Sequence, residues 1–208
     1  MATTKERILE AALRLFARDG YQAVSTSAIA GELGMAKSAL YKHFPDTRAI
    51  FDCLVDQMIE HHRSVGEAAG LAEDAANTAA AQTYADATPA QMAELGEALF
   101  RYWTQDPSAS AFRRMLAIER FRDERIAGIY DEMFVSGKLR YHTELFGQMV
   151  GIGAFEPGDA RQMALDFWAP VLLLMQAVDG GLDMEEAVAA VRSHVLAFAA
   201  RYVRSHDE

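Results

Sequence analysis

Between Lys37 and His43 the chain places two lysines, a serine, a tyrosine and a histidine around the small Ala39. Ammonium groups neutralise phosphates, and hydroxyl and imidazole groups hydrogen-bond phosphates or base edges. Lys37, Ser38, Tyr41, Lys42 and His43 therefore have the chemistry of a nucleic-acid contact. Ser38 and Ala39 keep the segment narrow, so its backbone can approach a major groove. Upstream, Ser25 and Thr26 offer hydroxyls and helix-start N–H groups to a further phosphate.

Other chemistries find less support. His61 and His62 follow Glu60, but adjacent helical residues point about 100° apart, and no second cluster has ligand spacing. No histidine has a glutamate three positions before it, which removes the Glu-x-x-His pair of di-iron bundles. Cys53 is a lone cysteine spaced like a buried helix residue, a small hydrophobe that forms no internal bridge. A nucleophile with its base, a metal set and a phosphate loop are all missing from the pattern. The expectation is a non-enzyme without metal or cofactor.

Helices must position these residues, because apolar side chains recur at three- and four-residue spacing and alternating β-branched runs are absent. The expected fold is all-α. A first helix follows Thr3 or Thr4, carries Ile8, Ala12, Leu15 and Phe16 on one stripe and stops at Asp19-Gly20. A second, of about two turns, starts at Ser25 or Thr26, buries Ile29, Ala30 and Leu33 and breaks at Gly34. After the tight Gly34-Met35-Ala36 connection a third runs from Lys37 to about His43, with Leu40 and Phe44 toward the core, and Pro45-Asp46 ends it. Asp46 caps a fourth helix bearing Ile50, Phe51, Leu54, Val55, Met58 and Ile59.

Two short helices joined by a glycine turn, the second basic and narrow, make a helix-turn-helix pattern. Further on, Gly66 to Thr88 has ten alanines and only Leu71 and Tyr84 as large apolar side chains, and so reads as a loose connection. Thr88-Pro89 restarts a helix that runs to Asp106-Pro107, and others are expected at 109–120 and 124–150.

The 208 residues carry net charge −10, which argues against a general polyanion binder. The charge is uneven. Residues 1–50 hold seven basic against five acidic side chains, and the remainder thirteen against twenty-five, so a mildly basic head precedes an acidic body. Charges interrupt the apolar residues of the opening segment, and Phe167–Val178, the longest apolar run, has 12 residues. About 18 are needed to span a bilayer. A cytoplasmic protein with no membrane partner is expected.

The last two helices carry heptad-like seams. Met184, Val188, Val191, Val195, Phe198 and Tyr202 form one, and Met163, Phe167, Pro170, Leu174 and Ala177 the other. Because the preceding helix is apolar nearly all round, a second copy of the chain is its simplest cover. Phe167, Leu174, Val188, Val191, Val195, Phe198 and Tyr202 are the expected homodimer residues.

Over residues 5–55 the sequence resembles the tetracycline-repressor (TetR) family of bacterial transcription regulators. The family's F-x-x-x-G-Y/F is met by Phe16–Tyr21, its S/T-T-x-x-I-A by Ser25–Ala30, and its G-V-S-x-x-x-L-Y-x-H/Y-F by Gly34–Phe44. The resemblance puts DNA-facing positions on Ser25, Thr26, Lys37, Ser38, Ala39, Tyr41, Lys42 and His43. Two positions depart from it. Ala36 stands where a small hydroxyl is usual and Thr47 where a lysine is common, which makes Arg48 or Lys42 the expected compensating contact.

The resemblance further implies a three-helix head, residues 1–48, on a helical ligand-binding and dimerisation body, residues 49–208. Its partners would be a palindromic double-stranded operator, a second copy and a small-molecule effector. Leu99, Phe100, Trp103, Phe112, Met115, Phe121, Tyr130, Met133, Phe134 and Trp168 are core by default. Such aromatic and methionine side chains suit an apolar effector between helices, and all of these except Phe100 are the expected ligand residues. The functional expectation is a repressor released by an apolar or aromatic ligand. The alternative is a dimeric ligand-binding or adaptor protein that has lost DNA binding.

Overall fold

The computed structural model describes residues 3–68 and 78–204. Helices follow in the order α1 (Thr4–Asp19), α2 (Thr26–Glu32), α3 (Lys37–Leu40), α4 (Thr47–Ala68), α5 (Thr78–Ala85), α6 (Pro89–Gln105), α7 (Pro107–Glu119), α8 (Glu124–Phe134), α9 (Ser136–Gly151), α10 (Ala160–Asp179) and α11 (Met184–Tyr202). A 3₁₀ turn, Tyr21–Ala23, follows α1. Among the described residues the architecture is all-α, with one isolated bridge between Phe155 and Val203. No described helix is long and apolar enough to cross a membrane. The chain divides into two compact units, Met1–Gly70 with Pro107–Tyr130, and Leu71–Asp106 with Asp131–Glu208.

In the first unit local chemistry sets the helix ends. The Thr3 side chain accepts the Glu6 N–H at 3.3 Å while Glu6 accepts the Thr3 N–H at 2.7 Å, a reciprocal cap that satisfies two N–H groups. Gly20, at φ +79°, ends α1 and donates its N–H to the Phe16 carbonyl. Ile8, Phe16, Ile29, Leu40, Ile50 and Phe51 are fully enclosed, and the Phe16, Tyr21 and Phe51 rings meet with centroids 4.7–5.7 Å apart. Asp46 caps α4 by accepting the Ala49 N–H at 2.8 Å.

The second unit has two neighbouring apolar clusters. Ala93, Phe100, Trp168, Val171, Met175, Val188, Val191 and Val195 make one, and Ala81, Leu145, Phe146, Met149, Phe155, Met163 and Phe198 the other. Thr88 and Gln91 cap α6 reciprocally with Pro89 in the first turn, and Asp159 and Asp183 cap α10 and α11. A Cβ on Gly96 would stand 3.2 Å from Val195, so glycine lets α6 approach α11 closely.

Three expectations are corrected. The seam of α11 is internal: Val188, Val191, Val195 and Phe198 are 0–7% exposed within one copy, whereas Phe167, Leu174 and Tyr202 border the same clusters and are only partly buried. The outward-facing large apolar residues of α10 and α11 are instead Leu165, Leu173 and Leu196. The single helix expected over 124–150 breaks at Val135, whose backbone leaves the helical region before α9 starts. Gly137 makes the break possible, because any Cβ there would collide with the Glu132 carbonyl. Within the stretch read as a loose connection, Thr78–Ala85 is helical and residues 69–77 lie outside the described residues.

Candidate nucleic-acid interface

The connection between α2 and α3 is closed by backbone bonds. Met35 N–H donates to the Ala30 carbonyl at 3.0 Å and Gly34 N–H to Gly31 at 3.1 Å, with Gly34 at φ +62°. That is a Schellman ending, which needs a left-handed residue where only glycine sits without strain. Ser25 caps α2 by accepting the Ala28 N–H at 3.2 Å. Ala36 gives α3 no side-chain cap.

Leu40 and Phe44 anchor the third helix, at 0% and 4% exposed. The opposite side is open: Ser25, Lys37, Ser38, Tyr41, Lys42 and His43 are exposed, and Ala39 is partly buried between them. The α-helix is shorter than expected. Beyond Leu40 it tightens, with Lys42 N–H to Ala39 and His43 N–H to Leu40, as the approach of Pro45 disfavours α geometry at Phe44. The Lys37 ammonium lies over the Tyr41 ring, 5.6 Å from its centroid, and the Tyr41 and Thr26 hydroxyls are 3.4 Å apart. Those two neighbours, Thr26 first, lower the Tyr41 pKa from its ordinary value. Thr26 itself is buried, so it orients Tyr41 rather than standing open to a phosphate.

Arg48 departs further from expectation. Its guanidinium is held by Asp52 at 2.9 Å and by Asp123 at 3.0 Å, and both bonds raise its pKa, Asp52 more strongly. Arg125 extends the network to Asp52 and Asp56. Burial pushes the Asp123 carboxyl up, but the Ile126 N–H and Arg48 together hold it below its ordinary range. Arg48 thus ties α4 to the start of α8, a role set by partners far away in sequence and invisible to motif reading.

A second tie was also illegible in the sequence. Glu119, 2% exposed at the end of α7, accepts the Tyr21 N–H at 2.8 Å, with Arg122 3.6 Å away. The carboxylate supplies an acceptor in the turn where α1 passes toward α2. Glu119→Ala is expected to cost about 1–3 kcal/mol by leaving that N–H unsatisfied, and Glu119→Gln distinctly less, since it keeps an acceptor oxygen. Urea denaturation of the two variants checks this, and equal losses would assign Glu119 another role.

The expected ligand residues are distributed over both units. Phe112, Met115, Phe121 and Tyr130 belong to the first, and Leu99, Trp103, Met133, Phe134 and Trp168 to the second. Phe112 and Met115 are fully buried, and the Phe112 ring stacks on His62. Phe121 is corrected outright: it is 79% exposed beneath the Arg120 guanidinium and lines no interior. In the second unit Trp103 meets Phe134 edge-on, and the Trp168 indole N–H donates to the Phe134 carbonyl at 2.7 Å. An open groove of about 630 Å³ in the first unit, along α1 and α4, is lined by Glu6, Glu10, Asp56, Glu60 and His61 and by none of the expected ligand residues. Among the described residues no group of acidic, histidine or cysteine side chains has the arrangement of a metal site.

Comparison with known proteins places this geometry. The model of bacterial regulatory proteins of the tetR family matches residues 8–54. The nucleoid occlusion factor SlmA of Escherichia coli O1:K1 is 40% identical over 53 residues, as is that of Klebsiella pneumoniae. The match covers 25% of this chain and spans about a quarter of the relatives' length, 27%. Solved structures match nearly end to end. A protein described as a transcriptional regulator from Saccharomonospora viridis, in complex with choline, aligns with TM-score 0.68 and 22% identity over 97% of this chain and 98% of its own. SmeT, the repressor of the Stenotrophomonas maltophilia multidrug efflux pump SmeDEF, aligns with TM-score 0.62 and 16% identity over 98% and 92%. At these identities the structures establish a shared fold, and residues 8–54 carry the match to the tetR family of bacterial regulatory proteins.

Proposed function

We propose that the protein is a homodimeric, sequence-specific transcriptional regulator, a repressor that a small apolar or aromatic molecule releases from a palindromic operator. One observation carries this reading. Lys37, Ser38, Tyr41, Lys42 and His43 stand exposed on a short segment whose other face, Leu40 and Phe44, is locked into the core. Two copies would set these segments in major grooves about 34 Å apart, one turn of DNA. The exposed Leu165, Leu173 and Leu196 on α10 and α11 supply apolar surface for a second copy. SmeT has been seen with triclosan and the Saccharomonospora viridis protein with choline, which supports an effector in the body. Ligand would favour a dimer whose heads are wrongly spaced for the operator, with α4, continuous from Thr47 to Ala68, carrying the displacement.

Tyr41→Ala and Lys42→Ala test the interface directly. Both side chains are exposed, so folding should be unchanged. Operator affinity should fall, and the dependence of log affinity on log salt should become shallower by about one unit for each lost phosphate contact. Unchanged binding at two salt concentrations would remove both residues from the interface and favour the adaptor reading, which the uncapped Ala36 and the acidic body already invite.

A further inference from the structure

On α9 the residues Lys138, Tyr141, His142, Leu145 and Met149 share one stripe. Leu145 and Met149 are buried in the second unit's core, so Lys138 begins on the inward side of its helix. Its ammonium lies over the Tyr141 ring, 5.8 Å from the centroid. Tyr141 in turn is hydrogen-bonded to Tyr84 of α5, and the two tyrosines border the same apolar cluster. Burial and that bond both raise the Tyr141 pKa, and the Tyr84 hydroxyl can either donate or accept.

Around Tyr141, then, stand an ammonium that only donates and a hydroxyl that is able to donate. Among the described residues no carboxylate forms an ion pair with Lys138, and the acid acting on it, Glu132, is bonded to Arg140. Burial lowers the Lys138 pKa, the sense expected of a cation short of a counter-charge. His142 adds no charge. Its Nδ1 is 2.8 Å from the Lys138 carbonyl and so donates to it, and burial pushes its pKa down to about 4, so the ring is neutral at pH 7. The His142 ring packs against Phe146, Phe167 and Trp168, an aromatic surface suited to a hydrocarbon body.

We infer that Lys138 and Tyr84 form an anion-receiving site in the second unit, and that the effector is an apolar molecule ending in a carboxylate. The inference rests on the reading that the body takes a small-molecule effector. A carboxylate would accept from Lys138 and Tyr84 and supply the missing counter-charge, whereas a quaternary ammonium would meet aromatic rings already facing a cation. Uncharged analogues would gain the apolar contact alone.

Three probes with one tail distinguish these cases: decanoate, decanol and decyltrimethylammonium, titrated into the full chain at pH 7 by calorimetry and tryptophan fluorescence. Decanoate should bind most tightly. Lys138→Met should weaken decanoate at least about tenfold and change decanol by less than about twofold, while Lys138→Arg retains decanoate. Lys138→Met should also melt no lower than wild type, because it removes a partly buried charge without breaking an ion pair. Equal or tighter binding of decanol or decyltrimethylammonium, binding of none of the three, or decanoate affinity unchanged in Lys138→Met would overturn the site. Decanoate that binds through Lys138 without releasing operator DNA would leave the site standing and overturn the regulatory reading instead.

Discussion

Val195→Asp should abolish the cooperative thermal transition of the second unit. Val195 is 2% exposed and faces Gly96 across the α6–α11 contact, where even a Cβ on Gly96 would stand 3.2 Å from it and a carboxylate would be enclosed away from water. An unpaired buried charge costs several kcal/mol, a large part of the roughly 5–15 kcal/mol that holds a domain folded. Leu173→Asp supplies the contrast, since Leu173 is 65% exposed within one copy. That variant should keep its helical circular dichroism and lose only self-association in light scattering. A Val195→Asp protein that melts like wild type would mean that the α11 seam is not core, and the reverse pattern between the two variants would restore it as the dimer face.

Leu40→Ala should lower stability by about 2–5 kcal/mol, the usual cost of truncating an enclosed leucine. Leu40 is 0% exposed and its neighbours Tyr41 and Lys42 point the other way, so this residue couples folding of the head to presentation of the interface. Operator affinity should fall with it whenever the head is partly unfolded, and should recover at low temperature in excess DNA, because DNA binds only the folded head. A melting curve matching wild type would displace Leu40 from the core and undo the orientation assigned to Lys37–His43.

What the sequence reveals and what it hides divides along the range of the interaction. Thr3 with Glu6, Asp46 with Ala49, Thr88 with Gln91 and Gly34 in its turn are legible because each partner lies within a few residues, where spacing and chemistry suffice. The Leu40–Phe44 stripe is legible for the same reason. Periodicity in α11 correctly reports a buried face but carries no information about what covers it. The cover is α6, about a hundred positions earlier, admitted by Gly96. Arg48 reads as a surface cation until Asp123, 75 residues on, is brought beside it. Glu119 reads as one more acid of a helix end, and only the fold delivers Tyr21 to it. The break at Val135 has no proline, and the adjacent Ser136-Gly137 pair is its one local turn signal; why glycine is needed there is recognisable only once the Glu132 carbonyl occupies the place of its missing Cβ.

The central claim is that the Lys37–His43 segment reads a specific DNA sequence as one half of a symmetric pair. Purified protein should be mixed with fragmented DNA of its own genome, and the retained fragments sequenced at two salt concentrations. The account predicts enrichment of a palindromic sequence whose half-sites lie about one helical turn apart, with enrichment lost in Lys42→Ala and reduced by higher salt. Retention of no sequence above the bulk, or of the same sequences by wild type and Lys42→Ala at both salts, would contradict it.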